Sequence, residues 1–395
     1  MEWPVHGLAE APDHLRDWLI LAPYAAARRL VDAALDRSVD FVVLSGDVLD
    51  ARRTGPRGPA FLIEQFERLG ARGIGVYWAL GRADSAEHWP GELALPKYVA
   101  RFPAGSVRSF EARRDGETIA WVVGASRRRN HPVRAADFVA PHDALPRIAV
   151  AYGKIRAAAL ANRGIVYWAL GGFHAARALP VASGAAVYPG THQGRNPSQP
   201  GPHGARLVEI DSDRAVRVTA LASDVVRFCA ARVEIESSTT APQLESLLDQ
   251  RARGLVQEHP GVGLVIDWTV AGDGPLLVEL RRGRLAADLL AGLRDRFGVG
   301  PAPAWSATLD VEPPDVFASG WMAEDSLRGD YVRALARFRS GAGESFDPRR
   351  CLPASPLGRW IERMTAAISD DRRQRFFREA ALLGGELLGG EGNPR

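Results

Sequence analysis

Lysine is almost missing from this chain: all but two of its 50 basic residues are arginine, the exceptions being Lys97 and Lys154. The 47 acidic residues offset them and leave a net charge of only +3 at pH 7. A protein that crosses many phosphates carries a clearer basic excess, so the arginines read as the usage of a GC-rich genome. Cysteine is equally scarce. Cys229 and Cys351 stand far apart and match no thiolate metal spacing, which excludes a zinc ribbon or a disulfide scaffold and fits a reducing, cytoplasmic setting. No apolar run reaches the ~18 residues of a membrane helix, and no basic-then-apolar leader opens the chain, so neither a span nor a signal peptide is expected.

What is present is an ordinary globular composition, 46% hydrophobic and 25% charged over 395 residues, long enough for two or three domains. Apolar residues at helical spacing predict a helix over Tyr24 to Arg37, followed by a buried strand from Asp40 to Ser45 that runs into Gly46-Asp47. A second helix is expected from Pro59 to Leu69, then a strand from Ile74 to Leu80 ending at Gly81. Strands at Ile119–Val123, Arg147–Tyr152 and Ile165–Leu170, with a helix from Lys154 to Asn162, repeat the pattern of a sheet covered by helices. Ala205–Ile210 and Ala215–Leu221 read as an antiparallel pair. The six residues Val76-Tyr-Trp-Ala-Leu-Gly81 recur as Val166-Tyr-Trp-Ala-Leu-Gly171, which predicts two neighbouring strands of one sheet opening onto one crevice. From residue 224 to 312 a β-α-β-α-β texture marks a second, smaller α+β domain. After Pro313-Pro314, residues 313–395 read as mostly helical, with helices at Asp325–Phe338, Leu357–Ile368 and Asp371–Leu388 and mobile segments at Gly341–Pro353 and Gly389–Arg395.

Chemistry is expected in the strand-end loops Gly46-Asp-Val-Leu-Asp50, Gly81-Arg-Ala-Asp84, Tyr152-Gly-Lys154 and Gly171-Gly-Phe-His174. With Val187-Tyr-Pro-Gly-Thr-His-Gln-Gly-Arg195 and Gly201-Pro-His-Gly-Ala-Arg-Leu-Val-Glu-Ile210, this series resembles the calcineurin-like metallophosphoesterase superfamily. The likeness is to its bacterial DNA-repair exonuclease branch, of the SbcD and YhaO type. That branch carries Gly-Asp-x-x-Asp, Gly-Asn-His-Asp, a strand-end histidine, Tyr-Trp-Ala-Leu-Gly-His-x-His and a tract close to Val-Tyr-Pro-Gly-x-x-Gln-Gly-Arg, in that order. The likeness covers residues 4–222 and, more loosely, the cap domain to 312. It implies a layered α-β-β-α fold over residues 1–223, a cap over 224–312 and a helical C-terminal region.

The resemblance also implies a pair of divalent ions, manganese by preference, clamping a phosphoryl group and activating a water between them. It assigns the bridging carboxylate to Asp47. The other ligands are largely replaced: Arg82 and Ala83 stand for the family's amide and histidine, Tyr152 for its strand-end histidine, and Gly172 for the first histidine of Gly-His-x-His, of which His174 remains. The opening Asp-x-His element has no counterpart near Met1-Glu-Trp-Pro4, whether lost or hidden by a misplaced start codon, so the first strand is expected to be missing. Arg82 places a permanent cation beside the first metal position, where at ~4 Å and an effective dielectric of 20 each unit charge contributes ~4 kcal/mol. The expectation is that its guanidinium replaces the metal as counter-charge to Asp47 and Asp50. Metal is therefore expected to be absent or to be weakly bound manganese, with Asp47 and His174 as remnant ligands.

Plainer roles stand beside these. Asp47 and Asp50 can end a strand and cap the next turn, Asp84 can cap the turn at Ser85, and His174 can be a loop histidine. His192 and His203 could rebuild a mononuclear site with Asp47 and His174. Ser126-Arg-Arg-Arg129 could meet phosphates or be a solvated loop. Three functions follow. The first is an inactive or impaired homologue acting as a binding or scaffolding subunit, with DNA and a coiled-coil ABC-type ATPase as partners implied by resemblance, and a homodimer also possible. The second is an active manganese-dependent nuclease or phosphodiesterase with a rebuilt site. The third is an interaction protein without a nucleic-acid role.

Overall fold

The first ordered element is a long helix, α1 (Asp13–Asp36), whose residues Leu15, Leu19, Ala22 and Ala26 recur at helical spacing and are buried. It begins at Asp13 rather than Tyr24 because Pro23, a residue that normally breaks a helix, is accommodated inside it and buried. The computed structural model describes residues 5–312 apart from 7, 9–10, 86, 88, 92, 129–133, 139–143 and 161–163, then residues 319–339 and parts of 376–388. The segments expected at Leu357–Ile368, Gly341–Pro353 and Gly389–Arg395, and most of Asp371–Leu388, lie outside the described residues.

After α1 the chain runs through β1 (Phe41–Leu44), a single-turn helix α2 (Ala51–Thr54), α3 (Arg57–Gly70), β2 (Gly75–Trp78) and β3 (Val99–Arg101). These strands form a parallel three-stranded sheet in the order β1-β2-β3, with Phe41 opposite Gly75 and Leu44 opposite Trp78. Next come β4 (Arg108–Arg114), β5 (Glu117–Ala125), β6 (Arg147–Tyr152), β7 (Tyr167–Gly171), β8 (Arg177–Leu179) and β9 (Ala185–Tyr188). They build a mixed six-stranded sheet in the order β4-β5-β6-β7-β9-β8, parallel from β5 through β9 and antiparallel at both edges. A hairpin, β10 (Gly204–Ile210) and β11 (Val216–Ala222), pairs antiparallel as the alternation predicts. Within the helix expected over Lys154–Asn162, the described residues form a short 3-10 turn at Ala157–Leu160.

The repeated hexapeptide sits in two different sheets, β2 in the first and β7 in the second, which corrects the expectation of neighbours in one sheet. Its alternation explains why the same residues serve both. Tyr77 and Ala79, like Tyr167 and Ala169, share one core with Val122, Ile148 and Val150 between the sheets. Trp78 and Leu80 turn outward against Phe61, Leu62, Phe66 and Leu69 of α3, while Trp168 and Leu170 turn outward against Phe138 and Leu160. The result is a mixed α/β layered architecture with the strands' carboxyl ends at one edge.

The remaining elements are β12 (Val226–Ile235), α4 (Ala241–Glu258), β13 (Gly263–Gly272), α5 (Pro275–Arg281), α6 (Arg284–Phe297), β14 (Ala304–Val311), α7 (Ser319–Ala323) and α8 (Leu327–Arg339). The three strands form a sheet in the order β12-β13-β14. By contact the chain divides into two units, one of residues 1–230, 251–267 and 293–307, the other of residues 231–250, 268–292 and 308–395. In the first, Leu15, Leu19 and Ala22 of α1 pack with Val226, Phe228, Val265 and Trp305. In the second, Glu324 pairs with Arg328, and Asp330 with Arg333 at 2.9 Å. Among the described residues no helix is long and apolar enough to cross a membrane.

Candidate functional site

Where β1 ends, the chain reverses through two successive residues in the left-handed region, Gly46 at φ +99° and Asp47 at φ +55°. Only glycine fits the first: a Cβ on Gly46 would stand 2.6 Å from Cδ2 of Tyr152 and 2.8 Å from the Cα of Gly81. Gly81 is equally confined, since a Cβ there would lie 2.5 Å from Oδ1 of Asp47 and 2.6 Å from Cε2 of Tyr152. The loops after β1, β2 and β6 thus converge on the ring of Tyr152 and the carboxylate of Asp47.

Both oxygens of that carboxylate have partners. Oδ1 accepts the main-chain N–H of Arg82 at 2.5 Å and of Ala83 at 2.7 Å, and Oδ2 accepts the hydroxyl of Tyr152. Desolvation, and then the bond to Asp47, raises the Tyr152 pKa, so the phenol stays protonated and donating. The expected guanidinium counter-charge is therefore overturned. The Arg82 side chain is exposed and makes no ion pair among the described residues, because two main-chain amides reach Asp47 first.

Beneath this layer Asp84 is the hub. Its Oδ1 accepts the N–H of Asp47 at 3.0 Å and of Gly81 at 2.5 Å; its Oδ2 accepts that of Val48 at 3.1 Å and the indole N–H of Trp78 at 3.0 Å. It ties two strand-end loops together rather than capping at Ser85. Burial raises its pKa from the ordinary 3.8 to about 6 against the opposing pull of the main-chain N–H groups, with Asp47 adding to the rise. Beside it the buried hydroxyl of Ser126 accepts the N–H of Leu80 at 2.9 Å and donates to the carbonyl of Phe102 at 2.6 Å. Ser126 is thus a structural bridge, whereas Arg127 and Arg128 are exposed as in the solvated loop expected; Arg129 lies outside the described residues.

The other candidates are engaged elsewhere. Asp50 caps α2 by accepting the N–H of Arg52 at 3.2 Å and pairs with Arg53 at 3.4 Å. His174 is exposed and meets Nε2 of Gln199 at 3.0 Å through Nδ1. His192 reaches the carbonyl of Pro23 at 2.9 Å, and His203 is held by Thr191 Oγ1 at 2.9 Å and the Gln199 carbonyl at 3.1 Å. The three histidines do not gather with Asp47, which corrects the idea of a rebuilt mononuclear site. Among the described residues no three His, Cys, Asp or Glu side chains gather closely enough to hold a metal ion. The tract from Val187 to Arg195 serves the fold instead. Gln193 is fully buried and bonds Val225 N–H at 2.9 Å and the Val226 carbonyl at 2.5 Å, while the hydroxyl of Tyr188 donates to Gly153 O at 2.8 Å. One participant was not foreseen, Trp78, disguised as strand core; Arg127, from the tract read as a possible phosphate contact, instead sets its charge near the Tyr152 hydroxyl.

The chain is 26% identical over 330 residues to the uncharacterized metallophosphoesterase YhaO of Bacillus subtilis strain 168, with 79% of each chain covered. This likeness supports the metallophosphoesterase superfamily. No family model matches the chain. Such a site takes two divalent ions on oxygen and imidazole donors with a bridging carboxylate. The donor set here does not fit that pair: the carboxylate to which the resemblance gives the bridge already accepts two N–H groups and a hydroxyl, and the imidazoles of His174, His192 and His203 meet other partners. What the arrangement can do is hold three loops rigidly. Tyr152→Phe should cost about 1–2 kcal/mol, the penalty for leaving one oxygen of Asp47 without its donor, read as a lowered urea midpoint.

Proposed function

We propose that this protein is a metallophosphoesterase-like subunit, related to the DNA-repair exonuclease branch, in which the dinuclear chemistry is lost or impaired and a binding or scaffolding role remains. The observation that carries this reading is the engagement of both Asp47 oxygens by the N–H groups of Arg82 and Ala83 and the hydroxyl of Tyr152, with no three His, Cys, Asp or Glu side chains gathered to hold a metal among the described residues. Two cations bridged there would compete with those three donors for the same two oxygens. DNA, and a coiled-coil ABC-type ATPase working beside it, are the partners this reading proposes.

Metal analysis of protein purified in manganese, together with turnover of a chromogenic phosphodiester, tests it. The expected result is manganese well below stoichiometry and no turnover. Near-stoichiometric manganese with turnover would overturn it in favour of an active manganese-dependent nuclease or phosphodiesterase.

A further inference from the structure

We infer that the paired helices α1 and α3 carry a nucleic-acid backbone site built from Arg28 and Arg57. The inference rests on the binding-subunit reading and names the surface that does the binding. The two helices run in the same direction, since Tyr24 meets Phe61, Arg28 meets Phe61 and Arg68 meets Asp32. At the far end of this groove the charges are matched, with Arg68 and Asp32 at 2.6 Å. At the near end they are not. Arg28 lies over the ring of Phe61 at 5.6 Å, Phe61 packs edge-to-face on Tyr24 at 5.1 Å, and Arg57 lies over Tyr24 at 5.0 Å. Both arginines are exposed, and among the described residues neither has a carboxylate partner.

An arginine stacked on a ring has already given up much of its rotational freedom, and its N–H edges stay outward in the planar fork that matches a phosphate. Two such forks, each held on a ring of the Phe61–Tyr24 pair, suit a ligand whose anionic groups repeat regularly. A nucleic-acid backbone has that regularity, whereas the carboxylates of an acidic polypeptide sit on flexible stems at irregular intervals. One end of the site lies close to the edge described above. Arg57 opens α3 just beyond the carboxyl end of β1, and Gly58 is so close to Leu49 that an added Cβ would stand 2.6 Å from its Cδ1.

The test is equilibrium binding of a short DNA duplex over a series of salt concentrations in EDTA, for the unmodified chain and for Arg28→Ala/Arg57→Ala. The double variant should bind about tenfold more weakly, and the slope of log affinity against log salt should shrink by about 1.8, near 0.9 for each lost phosphate contact. Arg16→Ala, which removes an equal charge from α1 where Asp13 already pairs with it at 3.3 Å, should change neither quantity appreciably. Unchanged affinity and slope in the double variant would overturn the assignment. So would displacement of the duplex by poly-glutamate at equal charge concentration, which would mark a general acidic-chain site. Because EDTA removes metal from the experiment, failure here leaves the manganese result, and the reading that rests on it, untouched.

Discussion

Replacing Asp84 with alanine should remove about 4–6 kcal/mol of folding stability, since it strands four donors at once and each buried unsatisfied group costs about 1–3 kcal/mol, less than additively. The donors are the N–H groups of Asp47, Val48 and Gly81 and the indole of Trp78. The three main-chain donors lie in two loops whose Gly46 and Gly81 leave no room for a shifted backbone. Asn should lose less than Ala, because its amide keeps one acceptor oxygen while its NH2 faces one of the two donor pairs. The pH dependence has a definite sign. The carboxyl titrates at about 6 in the folded chain against an ordinary 3.8, so the folded state takes up this proton first as pH falls. The stability this group contributes is therefore fully present below about pH 4 and is lost as pH rises through about 6. Urea midpoints measured from pH 4 to 7 should show that trend in the unmodified chain relative to Asp84→Asn. A loss below 1 kcal/mol in the alanine variant, or parallel pH profiles, would refute the hub.

Arg227→Ala should have the other large effect, about 3–5 kcal/mol, the usual result of removing one partner of a buried ion pair. Asp224 has a side chain with 0% exposure and meets Arg227 through two parallel bonds of 2.8 Å. The surrounding main chain depends on the same place: the Asp224 carbonyl accepts Arg29 at 2.9 Å, and its N–H reaches His203 O at 3.2 Å. Neutralising both partners, as in Asp224→Asn/Arg227→Met, should recover at least half of the loss. Equal destabilisation of the single and double variants would show that packing, not charge, holds this corner.

The strands were legible because each is a near-continuous apolar run ending in glycine, and the convergence of Gly46, Gly81 and Tyr152 followed from those endings. Which sheet a strand joins was not, because the Tyr/Ala and Trp/Leu faces of the repeated hexapeptide suit either sheet equally. Pro23 hid the first half of α1, since the penalty for proline in a helix is local and the burial of Leu15 and Leu19 that outweighs it is not. At the site, the sequence displayed the charge of Arg82 but not which of its atoms would meet Asp47. Hydrogen bonds from main-chain N–H groups leave no mark on side-chain identity, and Asp84 looked like a turn cap for the same reason. The histidines of the Val187–Arg195 neighbourhood looked like ligands because imidazole satisfies carbonyls and metals with the same lone pairs and N–H groups.

Asp47 at φ +55° leads to one more consequence. Apart from glycine, aspartate and asparagine are the residues that best tolerate this region, so the corner itself selects for the residue that a hydrolase would need there. A Gly-Asp pair at the end of a strand therefore registers the shape of a tight bend, and the bend by itself is enough to keep the pair in place.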